Sequence, residues 1–253
     1  MRTIAAVNAR VPAAVVMRGA ANMPQPTEVR NLGTTQVLGK GEQVFAEGDA
    51  AEFFYKVLSG TIRTYKLLSD GRRQIDAFHL TGDIFGIEAG SEHRFSAEAV
   101  DGATVVAFRR SRLDVLAHDN PTFGTQIMEA MMRNLERAQD HMLLLGRKTA
   151  QEKMATFLLD MSRRLAREGQ PPLDRFDLPL SRQQIADVLG LTIETVSRQL
   201  TDLKRIGIIA LPGRRMGEIR DRAAASDAAA CRPAPRRSRT PPPPPPSRCG
   251  STQ

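Results

Sequence analysis

Four residues near position 195 have the types and spacing needed to read the edges of DNA bases. Arg198 can donate two hydrogen bonds to O6 and N7 of a guanine, and Glu194 can accept one from a cytosine amine. Ser197 can meet a thymine edge, and Ile193 stands beside these residues. Because Glu194 and Arg198 are four residues apart, they would also suit an ordinary ion pair on a helix surface. The elements around them decide between the two interpretations.

The stretch from Ser181 to Arg205 has the pattern of two short helices joined by a tight turn. Ser181 and Gln184 are spaced as a capping box, and Gly190 stands where a left-handed residue would end the first helix. Thr192 is the expected N-cap of the second helix. The expected apolar faces are formed by Ile185, Leu189, Val196, Leu200 and Leu203. The pattern predicts a helix-turn-helix, with an ordinary helical hairpin as the alternative.

The neighbours of this stretch favour a winged domain over residues 147–221. An amphipathic helix is predicted from Thr149 to Leu165, and a short strand is predicted at 176–178. Segments 206–211 and 216–219 flank a Pro-Gly turn and predict a small β-hairpin wing. Phosphate contacts would set the register on DNA without reading sequence. The residues expected to make them are Ser181, Arg182, Thr192, Thr195, Arg214 and Arg215.

A longer helix is predicted over residues 121–146. Six of its residues recur at alternating steps of three and four, a pattern that favours a parallel coiled coil between two copies of the chain. This dimer seam consists of Met128, Met131, Leu135, Ala138, Met142 and Leu145. Ile127 and Met132 lie beside it and are expected to pack on the chain's own β domain.

Residues 31–120 are expected to form that β domain. Glycines separate short runs rich in Val, Ile, Phe, Tyr and Thr at intervals of about ten residues, which is typical of an antiparallel barrel or double-sheet roll. The predicted fold class is therefore α+β. It comprises an N-terminal antiparallel β-roll, a long dimerisation helix and a C-terminal winged helix-turn-helix.

Composition limits the classes of function. The formal net charge of +8 is uneven, because residues 147–221 carry 14 Lys or Arg against 10 Asp or Glu, whereas residues 1–146 carry 16 against 17. More than half of the excess lies in residues 222–253, and only the charge on the two-helix segment favours DNA phosphates. The two cysteines, Cys231 and Cys249, lie in this tail, which excludes a disulfide framework elsewhere. The sequence contains no run of apolar residues long enough for a transmembrane helix, and a cytoplasmic protein is expected.

Neither end of the chain is expected to form a core. Residues 1–30 are interpreted as a flexible arm, because their apolar middle is interrupted by Pro12 and is too weak for a secretory signal. Residues 222–253 lack large apolar side chains and include six consecutive prolines, which predicts disorder around a polyproline II segment. This tail has three alternative explanations: a C-terminal sequence that has drifted or been frame-shifted and has no function, a ligand for an SH3-like domain, or an auxiliary DNA-binding arm.

The order of β-roll, long helix and winged helix-turn-helix resembles the CRP/FNR family of bacterial transcription regulators. Gly41-Glu42, Gly48-Asp49 and the segment 82–86 look like the family's cyclic-nucleotide-binding roll. The segment 178–200, with its Glu-x-x-Ser-Arg pattern at 194–198, looks most like the FixK branch. The resemblance implies a homodimeric activator that binds double-stranded DNA at a palindrome of TTGA-type half-sites and recruits RNA polymerase.

The chain departs from this family in the residues that sense a signal. Members that bind cyclic AMP carry an adjacent Arg-Ser or Arg-Thr pair, where this chain has His-Arg-Phe-Ser at 93–96. Iron–sulfur members carry N-terminal cysteines, and residues 1–30 contain none. Some FixK-like members have a cysteine where Ser181 stands here. We therefore expect no cofactor and no metal. Haem ligation by His79 or His93 is weighed against a structural role for these rings.

Two rival functions share parts of this pattern. One is a cyclic-nucleotide-dependent regulator of the same architecture, and the other is a β-roll metal enzyme of the cupin type. Cupin sites usually begin with a His-x-His pair, which is not formed by His79, His93, His118 or His141. The sequence also has no phosphate-binding loop, nucleophile elbow or helical metal motif. We therefore expect no enzymatic activity.

Overall fold

The computed structural model describes residues 33–166, 170–178, 180–213 and 216–230. The predicted arm at 1–30, the wing residues Arg214 and Arg215, and the chain beyond residue 230 lie outside the described residues. The chain divides into two compact units, Met1–Asp140 and His141–Gln253.

The first unit is a roll of two four-stranded antiparallel sheets, as the sequence predicted. Its strands are β1 (Thr34–Leu38), β2 (Gln43–Phe45), β3 (Phe53–Ser59), β4 (Ile62–Leu67), β5 (Arg73–His79), β6 (Ile84–Phe85), β7 (Ser96–Ala99) and β8 (Ala103–Arg109). The strand orders are β1-β8-β3-β6 and β2-β7-β4-β5. A 3₁₀ turn (Arg110–Arg112) and helix α1 (Leu113–Asp119) follow.

The β3–β8 pair is covered on both faces, which explains the continuous apolar run in β8. Val57 and Val105 face the interior between the sheets, whereas Phe54 and Phe108 face α1 and the helix that follows it. A strand buried on both sides loses the alternation of apolar and polar residues that a half-exposed strand shows.

Helix α2 (Pro121–Arg147) covers the roll with one stripe of its surface. Ile127 is buried there, as predicted, together with Phe123 and Ala130. Farther along the stripe, Asn134 Nδ2 donates to Ile84 O over 3.0 Å. The prediction that Met132 packs on the roll was wrong, because its side chain is 61% exposed. Five residues beyond Ile127, it lies about 140° away around the helix axis.

The described part of the second unit includes the three helices and the three-stranded sheet that the winged arrangement requires. The elements are α3 (Ala150–Arg164), β9 (Arg175–Asp177), α4 (Arg182–Leu189), α5 (Ile193–Arg205), β10 (Ile209–Ala210) and β11 (Met216–Ile219). The sheet order is β10-β11-β9, with Gly217 opposite Phe176. A Cβ at Gly217 would lie 3.1 Å from the Phe176 ring, so this contact favours a residue without a side chain.

A further helix, α6 (Arg222–Ala229), corrects the expectation of disorder for the residues that it contains, whereas residues 231–253 of that predicted tail lie outside the described residues. It is mostly alanine and packs on α3, with Ala225 buried. Arg222 Nη2 donates to Ser162 Oγ at its first turn, and Lys148 Nζ donates to Ala229 O at its end. Small side chains permit close packing and hydrogen bonds hold both ends, so large apolar residues are not needed here.

None of the helices within the described ranges combines the length and the apolar character needed to cross a bilayer.

Candidate nucleic-acid interface

The first helix of the two-helix motif is fixed at both ends by the predicted caps. Ser181 Oγ accepts from the Gln184 amide over 3.2 Å, and Gln184 Oε1 accepts from the Ser181 amide over 2.7 Å. At the other end Gly190 adopts φ 60°, which is the left-handed conformation of a helix C-cap. The predicted capping box and turn are therefore confirmed.

A buried lysine that the sequence analysis did not predict contacts the turn between the two helices of the motif. Lys153 of α3 is almost fully buried, and its Nζ donates to Leu189 O over 3.2 Å, at the end of α4. A cation at a helix C-terminus also interacts favourably with the helix dipole. Burial lowers the pKa of Lys153 from its ordinary value. The sequence signal that could have revealed this contact is a lysine next to the apolar positions of the helix predicted over residues 149–165.

The second helix, α5, begins at the predicted cap and buries the predicted face. Thr192 Oγ1 accepts from the Thr195 amide over 3.2 Å. Val196, Leu200 and Leu203 are buried, as predicted. The other side of the first turns carries the four proposed base-reading residues: Ile193, Glu194 and Arg198 are exposed, and Ser197 is half-buried.

The structure does not contain the ion pair that the alternative interpretation of this helix required. No side-chain hydrogen bond or ion pair joins Glu194 to Arg198, or joins either side chain to any other residue in the described ranges. By contrast, Arg205 on the same helix pairs with Asp202 over 3.3 Å. The carboxylate and guanidinium at the start of α5 are therefore free for an external partner.

The residues predicted to contact phosphates are only partly brought together. Ser181 and Thr192 cap the two helices, and Thr195 Oγ1 lies 3.0 Å from Thr192 Oγ1. Arg182 is exposed at the start of α4 and donates from Nη1 to Ser197 Oγ over 3.0 Å. The wing residues Arg214 and Arg215 lie outside the described residues.

The six seam residues of α2 are solvent-exposed within the single chain. The five large ones are between 37% and 67% exposed, and Ala138 is exposed as well. Leu145 is the least exposed of the five because its side chain lies close to Gly190. Contiguous exposed apolar surface of this kind is typical of an interface.

The two histidines considered as haem ligands have structural contacts inside the roll. The His93 ring is buried and stacks on Phe45, with 3.6 Å between ring centroids. His79 Nε2 lies 3.1 Å from Thr64 Oγ1, and its ring stacks on Phe85. Burial lowers the pKa of His93, although the nearby Glu88 carboxylate acts in the opposite direction. In the described part of the chain, no three potential metal ligands of the His, Cys, Asp or Glu type lie together.

Residues 93–96 of the roll do not supply the adjacent pair of residues that would bind a cyclic phosphate. The Arg94 side chain is exposed, and its backbone amide donates to Glu88 Oε1 over 3.3 Å. The nearest hydroxyl in sequence, that of Ser96, accepts from the Glu47 amide over 3.0 Å. These residues do not provide the adjacent guanidinium and hydroxyl that a cyclic nucleotide requires, so they do not fit that ligand.

Comparisons with known proteins agree with the fold and the interface. Residues 152–224 match the Crp-like helix-turn-helix domain, and residues 35–120 match the cyclic nucleotide-binding domain. The chain is 47% identical over 196 residues to the nitrogen fixation regulation protein FixK of Azorhizobium caulinodans, covering 78% of this chain and 79% of the relative. It is 39% identical to the transcriptional activator protein FnrL of Cereibacter sphaeroides, covering 69% of this chain and 72% of the relative.

A solved structure of a relative has the same fold. The structure of FixK2 from Bradyrhizobium japonicum has a TM-score of 0.72 and 44% sequence identity, covering 79% of this chain and 99% of the other. The fold and the two-helix motif define a DNA-binding transcription regulator, not an enzyme. The chain belongs to the CRP/FNR family of regulators, and within that family it is FixK-like.

Proposed function

We propose that this protein is a transcription activator that binds, as a homodimer in the bacterial cytoplasm, a palindrome of TTGA-type half-sites and recruits RNA polymerase. Each subunit places α5 in the major groove of one half-site. The observation that carries the proposal is the free Glu194 and Arg198 at the exposed N-terminal end of a capped helix. The name of FnrL, a transcriptional activator protein, supports activation, and the name of FixK supports a role in regulation.

The proposal assigns two kinds of contact to the two-helix motif. Arg198 reads a guanine and Glu194 the paired cytosine, while Ser197 and Ile193 contact a neighbouring thymine. Ser181, Arg182, Thr192, Thr195 and the wing arginines Arg214 and Arg215 hold phosphates and set the register. Since only the first set carries sequence information, the two sets predict different mutant behaviour.

Changing Arg198 to Ala tests base reading. We expect a loss of about 1–3 kcal/mol in binding a matched operator, with relaxed preference at one guanine, because a bidentate contact is removed. Operator titrations followed by gel shift, on matched and singly substituted half-sites, measure both quantities. Arg205→Ala is the matched control, because Arg205 lies on the same helix but is paired with Asp202. An equal loss on random DNA would reject the base-reading role of Arg198.

Changing Leu135 to Lys tests the dimer. A charge at the middle of the seam should convert the dimer to monomer at micromolar concentration, because it cannot be desolvated against the partner helix. Sedimentation velocity measures the oligomeric state, and footprinting shows whether one or two half-sites are protected. Leu143→Lys is the control, since Leu143 is 61% exposed on the same helix but lies outside the seam. A Leu135→Lys dimer that still protects both half-sites would contradict this seam.

The second candidate is a regulator that requires a cyclic nucleotide, and the match of residues 35–120 to the cyclic nucleotide-binding domain favours it. The exposed Arg94 and the lack of an adjacent Arg-Ser or Arg-Thr pair at residues 93–96 weigh against it. Operator titrations with and without cyclic AMP and cyclic GMP separate the candidates. Unchanged affinity supports the ligand-independent activator, whereas tightened binding would favour the second candidate.

A further inference from the structure

The Ser197 hydroxyl on α5 has a hydrogen-bond partner on the other helix of the motif. Arg182 is the first residue of α4, and its Nη1 lies 3.0 Å from Ser197 Oγ. A guanidinium has only donors, whereas a hydroxyl has one donor and two acceptor positions. The direction of this hydrogen bond is therefore fixed: Arg182 donates and Ser197 accepts.

The hydroxyl proton of Ser197 is left available for a partner outside the protein. Serine and threonine hydroxyls within helices often donate to the carbonyl four residues earlier. In this chain Thr125, Thr156 and Thr201 do so, over 3.0, 2.7 and 2.9 Å. Ser197 makes no such bond, and among the described residues its contact with Arg182 is its only side-chain hydrogen bond.

We propose that Arg182 is a specificity-determining positioning residue, because it fixes the polarity with which Ser197 reads a base. With its oxygen accepting from Arg182, Ser197 acts as a donor and selects a base-edge acceptor, such as thymine O4, against the amino groups of cytosine and adenine. The guanidinium charge disfavours a second donor at the same oxygen, and consecutive hydrogen bonds strengthen one another. The inference rests on the proposed function, since it requires α5 to lie in the major groove.

Arg182 keeps further donors for the DNA backbone. Its side chain is exposed and forms no ion pair with any carboxylate in the described ranges. The guanidinium N–H groups that do not face Ser197 can therefore bind a phosphate. One arginine then links a contact that positions the protein to a contact that specifies sequence.

The test uses the full chain with Arg182→Met, Ser197→Ala and the double variant, titrated against operators in which each half-site base pair is changed in turn. The base pair at which Ser197→Ala loses discrimination identifies the position that Ser197 reads. We expect Arg182→Met to lose discrimination at that same base pair by roughly two- to tenfold, the range expected for one hydrogen bond. Discrimination at the guanine read by Arg198 should be kept. The double variant should discriminate no worse at the Ser197 position than Ser197→Ala alone.

Lys204→Met is the matched control for lost charge, because Lys204 is an exposed cation on α5 outside the proposed contacts. It should leave discrimination at the Ser197 position intact. If Arg182→Met lowers affinity equally on every operator and on random DNA, with a shallower salt dependence, Arg182 is a phosphate contact only and the inference is overturned. Additive losses in the double variant would also overturn it. A wild-type protein that does not prefer the palindrome over random DNA would reject the proposed function itself.

Discussion

The β-roll and the start of α5 use charged side chains in opposite ways. In the roll, the largely buried Glu98 accepts hydrogen bonds from Arg63 on the neighbouring strand and from Arg73, the latter over 3.3 Å. On α5, Glu194 and Arg198 are exposed and pair with no residue in the described ranges. The same residue types stabilise the fold in one region and are available to a partner in the other.

The difference has a physical reason. The charge of a carboxylate shielded from water must be compensated by hydrogen-bonded cations. An exposed carboxylate is solvated by water and remains available to bind a ligand. The burial and partners of a charged residue therefore separate a structural role from a recognition role in this molecule. Substitutions that affect stability should fall in the roll, and substitutions that affect base preference should fall at the start of α5.

The largest expected effect is on the core of the roll. Phe108 is fully buried between Phe54 and Phe123, with ring centroids 5.1 and 5.0 Å away. Phe108→Ala should lower the free energy of unfolding of the roll by about 3–5 kcal/mol. Both tyrosines of the chain, Tyr55 and Tyr65, lie in the roll and there is no tryptophan, so tyrosine emission during urea unfolding follows this unit alone.

Ile193→Ala is the control for Phe108→Ala, because Ile193 is exposed on α5. It should leave the tyrosine-detected transition unchanged. A Phe108→Ala roll that unfolds at the wild-type urea concentration would contradict the assignment of this core.

A matched pair of carboxylate substitutions addresses the comparison directly. Glu98→Gln should destabilise the roll by about 2 kcal/mol, because the charge-assisted hydrogen bonds from Arg63 and Arg73 are weakened, and should leave operator preference intact. Glu194→Gln should leave unfolding intact and relax the preference for the cytosine that it reads, because an amide can also donate. Urea unfolding and operator titrations are measured on both variants. If both variants change the same quantity, the separation between the regions is wrong.

The smallest expected effect is a pH dependence of the stability of the roll. Burial lowers the pKa of His93 below its ordinary value of about 6.5, so between the two pKa values the unfolded chain binds more protons than the folded chain. Stability should therefore fall as the pH drops below about 6.5. Glu88 and Asp49 oppose the shift and Arg110 adds to it.

His93→Phe keeps a ring that can stack on Phe45 and removes the titrating group. It should flatten the decline of tyrosine-detected stability between pH 6.5 and lower pH. The exposed His118→Phe is the control and should retain the wild-type decline. An identical decline in His93→Phe would assign the pH dependence to other groups.

Much of the winged domain could be predicted because its signals are local. The Ser181 and Gln184 capping box, the left-handed Gly190 and the Thr192 cap all act within a few residues and were confirmed. The apolar faces of both helices follow the helical period, and they were confirmed as well. Met132 shows a limit of predicting burial from periodicity. When a helix carries apolar residues on two stripes of its surface, the period alone does not predict which stripe packs against the roll.

The sequence by itself determined the two helices of the motif, their caps and the residues displayed at the start of α5. Only the tertiary structure decided which polar groups are held by the fold and which remain free. Lys153 meets Leu189 across 36 residues, Arg182 meets Ser197 across 15, and Lys148 meets Ala229 across 81. No local period encodes such separations, because each contact depends on how whole helices pack. For that reason only the tertiary structure revealed α6 and the hydrogen bond from Arg182 to Ser197.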